Sequence, residues 1–95
     1  MTRRYLSRTD TIQEQVVAAL RQAGVLVQHT HSVAGGFPDL VCLVQGRVVL
    51  VELKSRHGTH TPAEVIFQAK WPVVTLRSVD EAIAFVNTLA GEPPK

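Results

Sequence analysis

The chain is poor in the residues that stabilise secreted or membrane-embedded folds. Its 95 residues include one cysteine, one tryptophan, one tyrosine and three phenylalanines. A single cysteine excludes an internal disulfide, and therefore a small secreted scaffold stapled by disulfides. No apolar run reaches the roughly 18 residues of a membrane span, and the segment MTRRYLSRTD lacks the apolar core of a signal peptide. We therefore expect a soluble protein in a reducing compartment, with no membrane partner.

Charge of either sign is also scarce. Ten Lys and Arg residues against eight Asp and Glu residues give a formal net charge of +2, which permits a polyanionic partner without requiring one. A hydrophobic content of 45% in so short a chain suits one domain, which we assign to residues 10–90, followed by a flexible tail, 91–95. Residues 1–9 form a basic arm whose Arg3, Arg4 and Arg8 either contact a DNA backbone or simply aid solubility.

The segment TIQEQVVAALRQAG has the period of an amphipathic helix. Thr9, Asp10 and Thr11 are suitable N-caps, and Gly24 ends the helix. Its apolar face comprises Ile12, Val16, Ala19, Leu20 and Ala23. One side of this helix is therefore predicted to pack on a core.

Two later helices begin with capping boxes. Thr61 and Ser78 are the predicted N-caps. Glu64 and Glu81, three positions later, are expected to complete the boxes by accepting from the backbone N–H of the cap residues. Trp71 follows the apolar segment of the first of these helices, so we expect it in the core rather than on a base-stacking surface.

The remaining apolar segments indicate strands. VLVQHTH is β-rich, a second strand starts near Asp39, a third precedes the Thr61 helix, and Val73 to Leu76 form a fourth. The predicted order is αβββαβα, with a parallel crossover between the last two strands. The middle strands are apolar on both faces, so we predict an α/β sandwich: a mixed central sheet with helices on both faces.

Three charged residues interrupt the apolar middle strands. If Gln45 and Gly46 form a hairpin turn, counting outward along the antiparallel register brings Asp39 opposite Glu52, and Lys54 shares their face. Opposed Cβ atoms lie roughly 4.5–5.5 Å apart, and two like charges at that distance destabilise a sheet unless something neutralises them.

Each of these residues also has an ordinary interpretation. Lys54 could simply pair with Glu52, and Asp39 could simply end the loop after Pro38. Taken together, the facing acids favour a hard divalent cation such as Mg²⁺ or Mn²⁺, for which Cys42 would be a poor ligand. Cys42 is predicted to be a small buried side chain.

The motif residues resemble a known signature. Pro38-Asp39, a spacer and Glu52-Leu53-Lys54 resemble the PD-(D/E)XK motif of metal-dependent nucleases. The flanking segments are similar to those of its virus-type replication-repair (VRR-Nuc) branch, and the resemblance extends from Asp10 to Leu89. These segments are Ile12-Gln13, Gly36, Thr61-Pro62-Ala63 and Val79-Asp80-Glu81-Ala82. Glu64 departs from the pattern, which has Gln there.

The resemblance implies hydrolysis of phosphodiester bonds in DNA. It assigns the metal to Asp39, Glu52 and the backbone carbonyl of Leu53, and it makes Lys54 the residue that orients water and stabilises the phosphate. It also points to Gln13 in the first helix. Helical geometry agrees, because Gln13 lies on the arc of Ile12 and Val16, whereas Glu14 points away.

The histidines and one further arginine are secondary candidates. His29 with His31, or His57 with His60, could form a zinc site, but their spacing fits no common pattern. Arg56, His57 and His60 follow Lys54 closely and could contact DNA phosphate, although solvated loop histidines are the simpler interpretation.

These observations predict a single-domain, Mg²⁺- or Mn²⁺-dependent DNA endonuclease without an organic cofactor. So small a domain favours recognition by shape, so we expect branched DNA such as junctions or flaps, a homodimer and a role in DNA repair in the cytoplasm of a bacterial or phage-infected cell. The alternatives are a nuclease acting on simple duplex or single strands, and a catalytically silent nucleic-acid-binding module.

Overall fold

A computed structural model describes residues 8–30 and 32–91 as three helices and one four-stranded sheet. In chain order the elements are α1 (Arg8–Gln22), β1 (Leu26–His29), β2 (Leu40–Val44), β3 (Arg47–Leu53), α2 (Pro62–Lys70), β4 (Val73–Leu76) and α3 (Val79–Ala90). The strands lie in the order β1-β2-β3-β4; the first two pairs are antiparallel and the last is parallel. The predicted element order and the mixed α/β sheet are thus confirmed.

The first helix starts earlier than its sequence predicts. α1 begins at Arg8, so the three predicted N-caps Thr9, Asp10 and Thr11 all lie inside the helix, and Arg8 belongs to α1 rather than to an arm. Acidic and hydroxyl residues suit a first turn as well as a cap, because the helix dipole favours negative charge there. Arg3 and Arg4, His31 and the tail from residue 92 lie outside the described residues.

The β2–β3 hairpin has the predicted register. Val44 pairs with Arg47 across Gln45 and Gly46, whose φ angles of 53° and 78° are those of a two-residue turn with both central residues left-handed. The ladder continues without a bulge, which brings Asp39 and Glu52 opposite each other one step beyond its last pair.

One face of the sheet, which we call the core face, carries the hydrophobic core. Alternating side chains of the strands pack there against α1 and α3. Its buried members are Leu40, Cys42, Val44, Val51, Leu53 and Leu76 from the strands, and Val16, Val17, Leu20, Ala82 and Val86 from the helices. Cys42 is fully buried as predicted, and burial raises the pKa of its thiol to about 11.

The opposite face, here called the open face, is covered only in part. Leu26, Leu43 and Val48 on this face are 67%, 39% and 72% exposed. The expectation that the middle strands are covered on both sides is therefore wrong at the hairpin end. Apolar residues on both faces of a strand predict that both faces are covered, but they do not supply the second helix that would cover the open face.

The two predicted capping boxes differ. Thr61 and Glu64 exchange both hydrogen bonds, as predicted. Ser78 accepts from the Glu81 N–H at 3.1 Å, but the Glu81 carboxylate accepts from the N–H of Arg77 instead of the cap residue. The second box is therefore only half formed.

The prediction for Trp71 is wrong. Its side chain is 55% exposed, Val65 and Ile66 are 56% and 63% exposed, and no residue of α2 is buried. Phe67 contacts Phe37 edge-on at 5.4 Å and stacks on Trp71 at 6.0 Å between ring centroids. An apolar helix face is buried only where a second element lies opposite it, and no described element lies over Val65, Ile66 and Trp71 closely enough to bury them.

Gly36 allows the loop before Asp39 to approach α2. Its φ is +79°, and a Cβ on Gly36 would collide with the carbonyl oxygen of Ala63. Gly35 has the same φ of +79° but open space around it. The two glycines therefore share a backbone constraint, and only Gly36 adds a steric one.

The different surroundings of Gly36 and Gly35 predict that alanine substitutions at these positions lower the free energy of unfolding by different amounts. Both Gly36→Ala and Gly35→Ala should cost about 1–2 kcal/mol for a left-handed alanine. Gly36→Ala should lower the free energy of unfolding by at least about 1 kcal/mol more, because α2 must move away. Urea denaturation of both variants measures the difference, and equal losses would mean that the Ala63 contact adjusts without cost.

Candidate active site

Asp39 is fixed at the start of β2 by hydrogen bonds on both sides. Thr30 donates from its N–H to the Asp39 carbonyl and from its hydroxyl to the Pro38 carbonyl, each at 2.8 Å. The Asp39 carboxylate in turn accepts from the N–H of Leu53 at 2.8 Å. Its side chain is therefore held against the end of β3, beside Glu52.

Glu52 is the most unusual residue of the site. It is 2% exposed, and its Oε1 has no hydrogen-bond partner among the described residues. Burial raises the pKa of this carboxyl to about 8, and a hydrogen bond with Glu64 and the charge of Asp39 add to the effect. A buried oxygen without a partner is costly, so this position needs a proton, a cation or a similar compensating group.

Lys54 lies between two carboxylates. Its Nζ is 3.4 Å from Glu52 Oε2 and 2.8 Å from Glu64 Oε1, and its side chain is 16% exposed. Burial opposes the charge of Lys54, but the hydrogen bond and charge of Glu64, with those of Glu52, raise its pKa above the ordinary value. The lysine is therefore a fixed cation at the centre of the site.

Glu64 is a site residue that the sequence reasoning did not assign. Its Oε1 also accepts from the N–H of Thr61 at 2.8 Å, so one oxygen serves both the capping box and Lys54. Burial would raise the pKa of Glu64, but the hydrogen bonds from Lys54 and from the Thr61 backbone lower it to about 2. The capping box was the available signal, because it fixes the direction of this side chain.

His60 differs from the expectation of a solvated loop histidine, whereas His57 agrees with it. His60 is half-buried, with its ring nitrogens 3.4 Å from the Gln68 amide and 3.3 Å from the Thr75 hydroxyl, and Nδ1 lies 3.7 Å from Glu64. It is thus a structural partner of α2 and β4 rather than a solvated loop histidine. His57 is exposed, as a loop histidine should be.

A cleft lies beside the loop that follows Lys54. The Arg77 guanidinium donates to the carbonyls of Ser55 and Gly58 at 2.8 and 2.6 Å, and so ties this loop to the start of α3. Arg56 is exposed and lines the same cleft. The lining residues are Ile12, Gln15, Arg56, Arg77, Ser78, Val79, Asp80 and Glu81.

Gln13 forms no hydrogen bond with the acidic residues of the site within the part of the chain that the structure describes. Gln13 is half-buried and Glu14 is exposed, which agrees with the predicted rotation of α1. However, α1 packs on the core face, whereas Asp39, Glu52 and Lys54 lie on the open face. No hydrogen bond or ion pair among the described residues joins Gln13 to these three.

The ligand atoms at this position are of the type that a hard cation prefers. They are the Oε1 of Glu52, which has no hydrogen-bond partner among the described residues, and the carboxylate of the facing Asp39. Within the described part of the chain, no cluster of three or more His, Cys, Asp or Glu side chains is arranged to hold a metal ion. The Asp39 carboxylate is engaged by Leu53, and the Glu64 carboxylate by Lys54 and Thr61.

Comparison with known proteins does not assign a family. No protein-family model matches the chain, and no curated protein or solved structure gives a match. The resemblance to VRR-Nuc enzymes therefore depends on the motif residues themselves. None of the helices in the described ranges is long and apolar enough to cross a membrane.

The buried carboxyl predicts how stability changes with pH. The pKa of Glu52 rises from 4.5 to about 8 on folding, so the folded chain binds this proton more tightly than the unfolded chain. The resulting stabilisation is complete below about pH 4.5 and is lost as the pH rises towards 8. With chelator present, the Tm of the protein should fall across this window, and Glu52→Gln should flatten the fall.

Thermal denaturation followed by circular dichroism at intervals across the window measures this effect. Glu81→Gln is the matched control, because Glu81 accepts a single backbone hydrogen bond at the surface. It should keep the slope of the parent protein. If Glu52→Gln also keeps that slope, the proton is bound elsewhere.

Proposed function

We propose that the protein is a Mg²⁺- or Mn²⁺-dependent DNA endonuclease. The observation that carries the proposal is the state of Glu52, which is 2% exposed, faces Asp39 and has one oxygen without a hydrogen-bond partner in the described ranges. A purely structural sheet gains nothing from two facing acids. A catalytically silent module is for the same reason the weaker candidate.

The proposed roles follow from the positions of the side chains. Asp39, Glu52 and the backbone carbonyl of Leu53 would hold the cation. When bound, the cation neutralises the carboxylates and polarises the scissile phosphate. The Lys54 ammonium orients the attacking water and stabilises negative charge developing on the phosphate. The side chain of Leu53 packs in the core, so only its backbone is offered to the site.

Binding of the DNA backbone is assigned to the loop after Lys54. Arg56 and His57 are exposed on this loop, and Arg77 holds its backbone in place. Arg3, Arg4 and Arg8 are proposed to add non-specific phosphate contacts. His60 has both ring nitrogens engaged within the protein, so we assign it to support of α2 rather than to phosphate.

Branched DNA is the proposed substrate, with DNA repair as its setting and a homodimer as the active form. A domain of this size offers little surface for reading a base sequence, so shape is the feature left to recognise. Trp71 supports this choice, because it is 55% exposed and stacked on Phe67. An exposed aromatic side chain can stack on the unpaired bases found at branch points and flaps. Simple duplex or single-stranded DNA is the alternative substrate.

Cleavage assays with Asp39 variants test the proposal. Labelled junction, flap, duplex and single-stranded DNAs are incubated with the protein, with Mg²⁺, Mn²⁺ or chelator. We expect metal-dependent cleavage, fastest on the branched DNAs. Asp39→Asn keeps an oxygen that can accept from Leu53 but loses the charge, so it should reduce cleavage at least about a thousandfold, as should Asp39→Ala. Undiminished cleavage by folded Asp39→Asn would contradict the assignment of this site.

The part played by α1 is tested separately. We propose that Gln13 assists turnover, as the resemblance implies; it is half-buried, as the predicted rotation of α1 requires. Gln13→Ala should then slow cleavage at least about tenfold, which is about 1.4 kcal/mol of transition-state stabilisation. Glu14→Ala, an exposed neighbour on the same helix, is the control and should leave turnover within about twofold. The reverse order of rates would mean that α1 does not serve the site through Gln13.

A further inference from the structure

We infer that Glu64 takes the shorter contact of the Lys54 ammonium, and so limits how closely that ammonium pairs with Glu52 in competition with the cation. The inference deepens the proposed function and rests on it. It makes Glu64 a positioning residue, acting through Lys54, and not a ligand of the metal.

The distances support this division of roles. Lys54 Nζ is 2.8 Å from Glu64 and 3.4 Å from Glu52, so the contact of the ammonium with Glu64 is the shorter and stronger of the two. The side chains of Lys54 and Glu64 are 16% and 15% exposed, so water offers the ammonium little alternative. The other oxygen of the Glu52 carboxyl, Oε1, has no hydrogen-bond partner among the described residues.

The position of Glu64 is fixed independently of Lys54. Its carboxylate accepts from the N–H of Thr61, and its own N–H donates to the Thr61 hydroxyl at 3.2 Å. The end of α2 that carries this box is packed against the loop of Gly36. Glu64 is therefore a rigid acceptor that keeps the lysine in place.

Loss of the Glu64 charge has a definite consequence. Lys54 would then have Glu52 as its nearest carboxylate, and an ammonium paired with Glu52 competes with a cation for the same oxygens. Metal affinity should fall although no metal ligand has been changed. Without Lys54 there is no competitor, so the same change at Glu64 should then have little effect.

Mn²⁺ binding by isothermal titration calorimetry tests this inference on four proteins: the parent, Glu64→Gln, Lys54→Met and the double variant. Gln can still accept from Thr61, so the cap is kept. Met keeps the apolar stem of Lys54 without its charge. Glu81→Gln is the matched control, because Glu81 also follows a helix cap by three residues and accepts a backbone hydrogen bond. Circular dichroism verifies the fold of each variant.

Glu64→Gln should weaken Mn²⁺ binding at least about fivefold. Lys54→Met should bind Mn²⁺ within about twofold of the parent, and adding Glu64→Gln to it should cost at most about twofold more. Glu81→Gln should bind like the parent.

Three results would overturn the inference. An unchanged affinity in Glu64→Gln would mean that Lys54 does not compete for Glu52. An equal loss with and without Lys54 would mean that Glu64 acts on the cation or on Glu52, its hydrogen-bond partner, and not through Lys54. A gain of fivefold or more in Lys54→Met alone, which can be measured even if Glu64→Gln does not fold, would mean that the lysine already competes in the parent. All three results are compatible with the proposed metal site. Only a parent protein that binds no Mn²⁺ would contradict the proposed function as well.

Discussion

The structure depends on one unfavourable contact, between Asp39 and Glu52 on neighbouring strands. The hairpin turn at Gln45 and Gly46 sets the register that brings these carboxylates opposite each other. The low exposure of Glu52, 2%, removes the water that would otherwise screen them. The protein compensates with the N–H of Leu53 for one acid and the ammonium of Lys54 for the other, but one oxygen of Glu52 has no hydrogen-bond partner among the residues that the structure describes.

The sheet tolerates this contact because its two faces have different roles. The core face packs Leu40, Val51 and Leu53 against α1 and α3 and supplies the apolar burial that stabilises the chain. The open face does not form the core. Polar groups can therefore occupy the end of this face away from the hairpin turn, while apolar residues near the turn remain exposed. Residues 52 to 54 alternate between these faces, which explains how a core leucine separates two site residues.

Elements distant in sequence converge on the loop regions around the site. Arg77, at the end of β4, satisfies two carbonyls of the loop after Lys54, and Gly36 lets the loop before Asp39 meet the first turn of α2. These contacts connect the strand ends with α2, whose capping box carries Glu64. The geometry of Lys54 is thus coupled to the packing of a helix that contributes no buried residue to the core.

The sequence by itself determined the element order, the hairpin register and the facing acids. Turn chemistry at Gly46, capping at Thr61 and strand alternation are local rules that a few neighbouring residues satisfy. Only the tertiary structure decided which apolar surfaces are covered, and Trp71 and Val48 are exposed because none of the described helices or strands lies over them. It also decided that Glu64 meets Lys54 and that α1, which carries Gln13, lies on the face opposite to the acids, since both depend on which face of the sheet a helix packs against. That choice is made by the whole core, and no single segment encodes it.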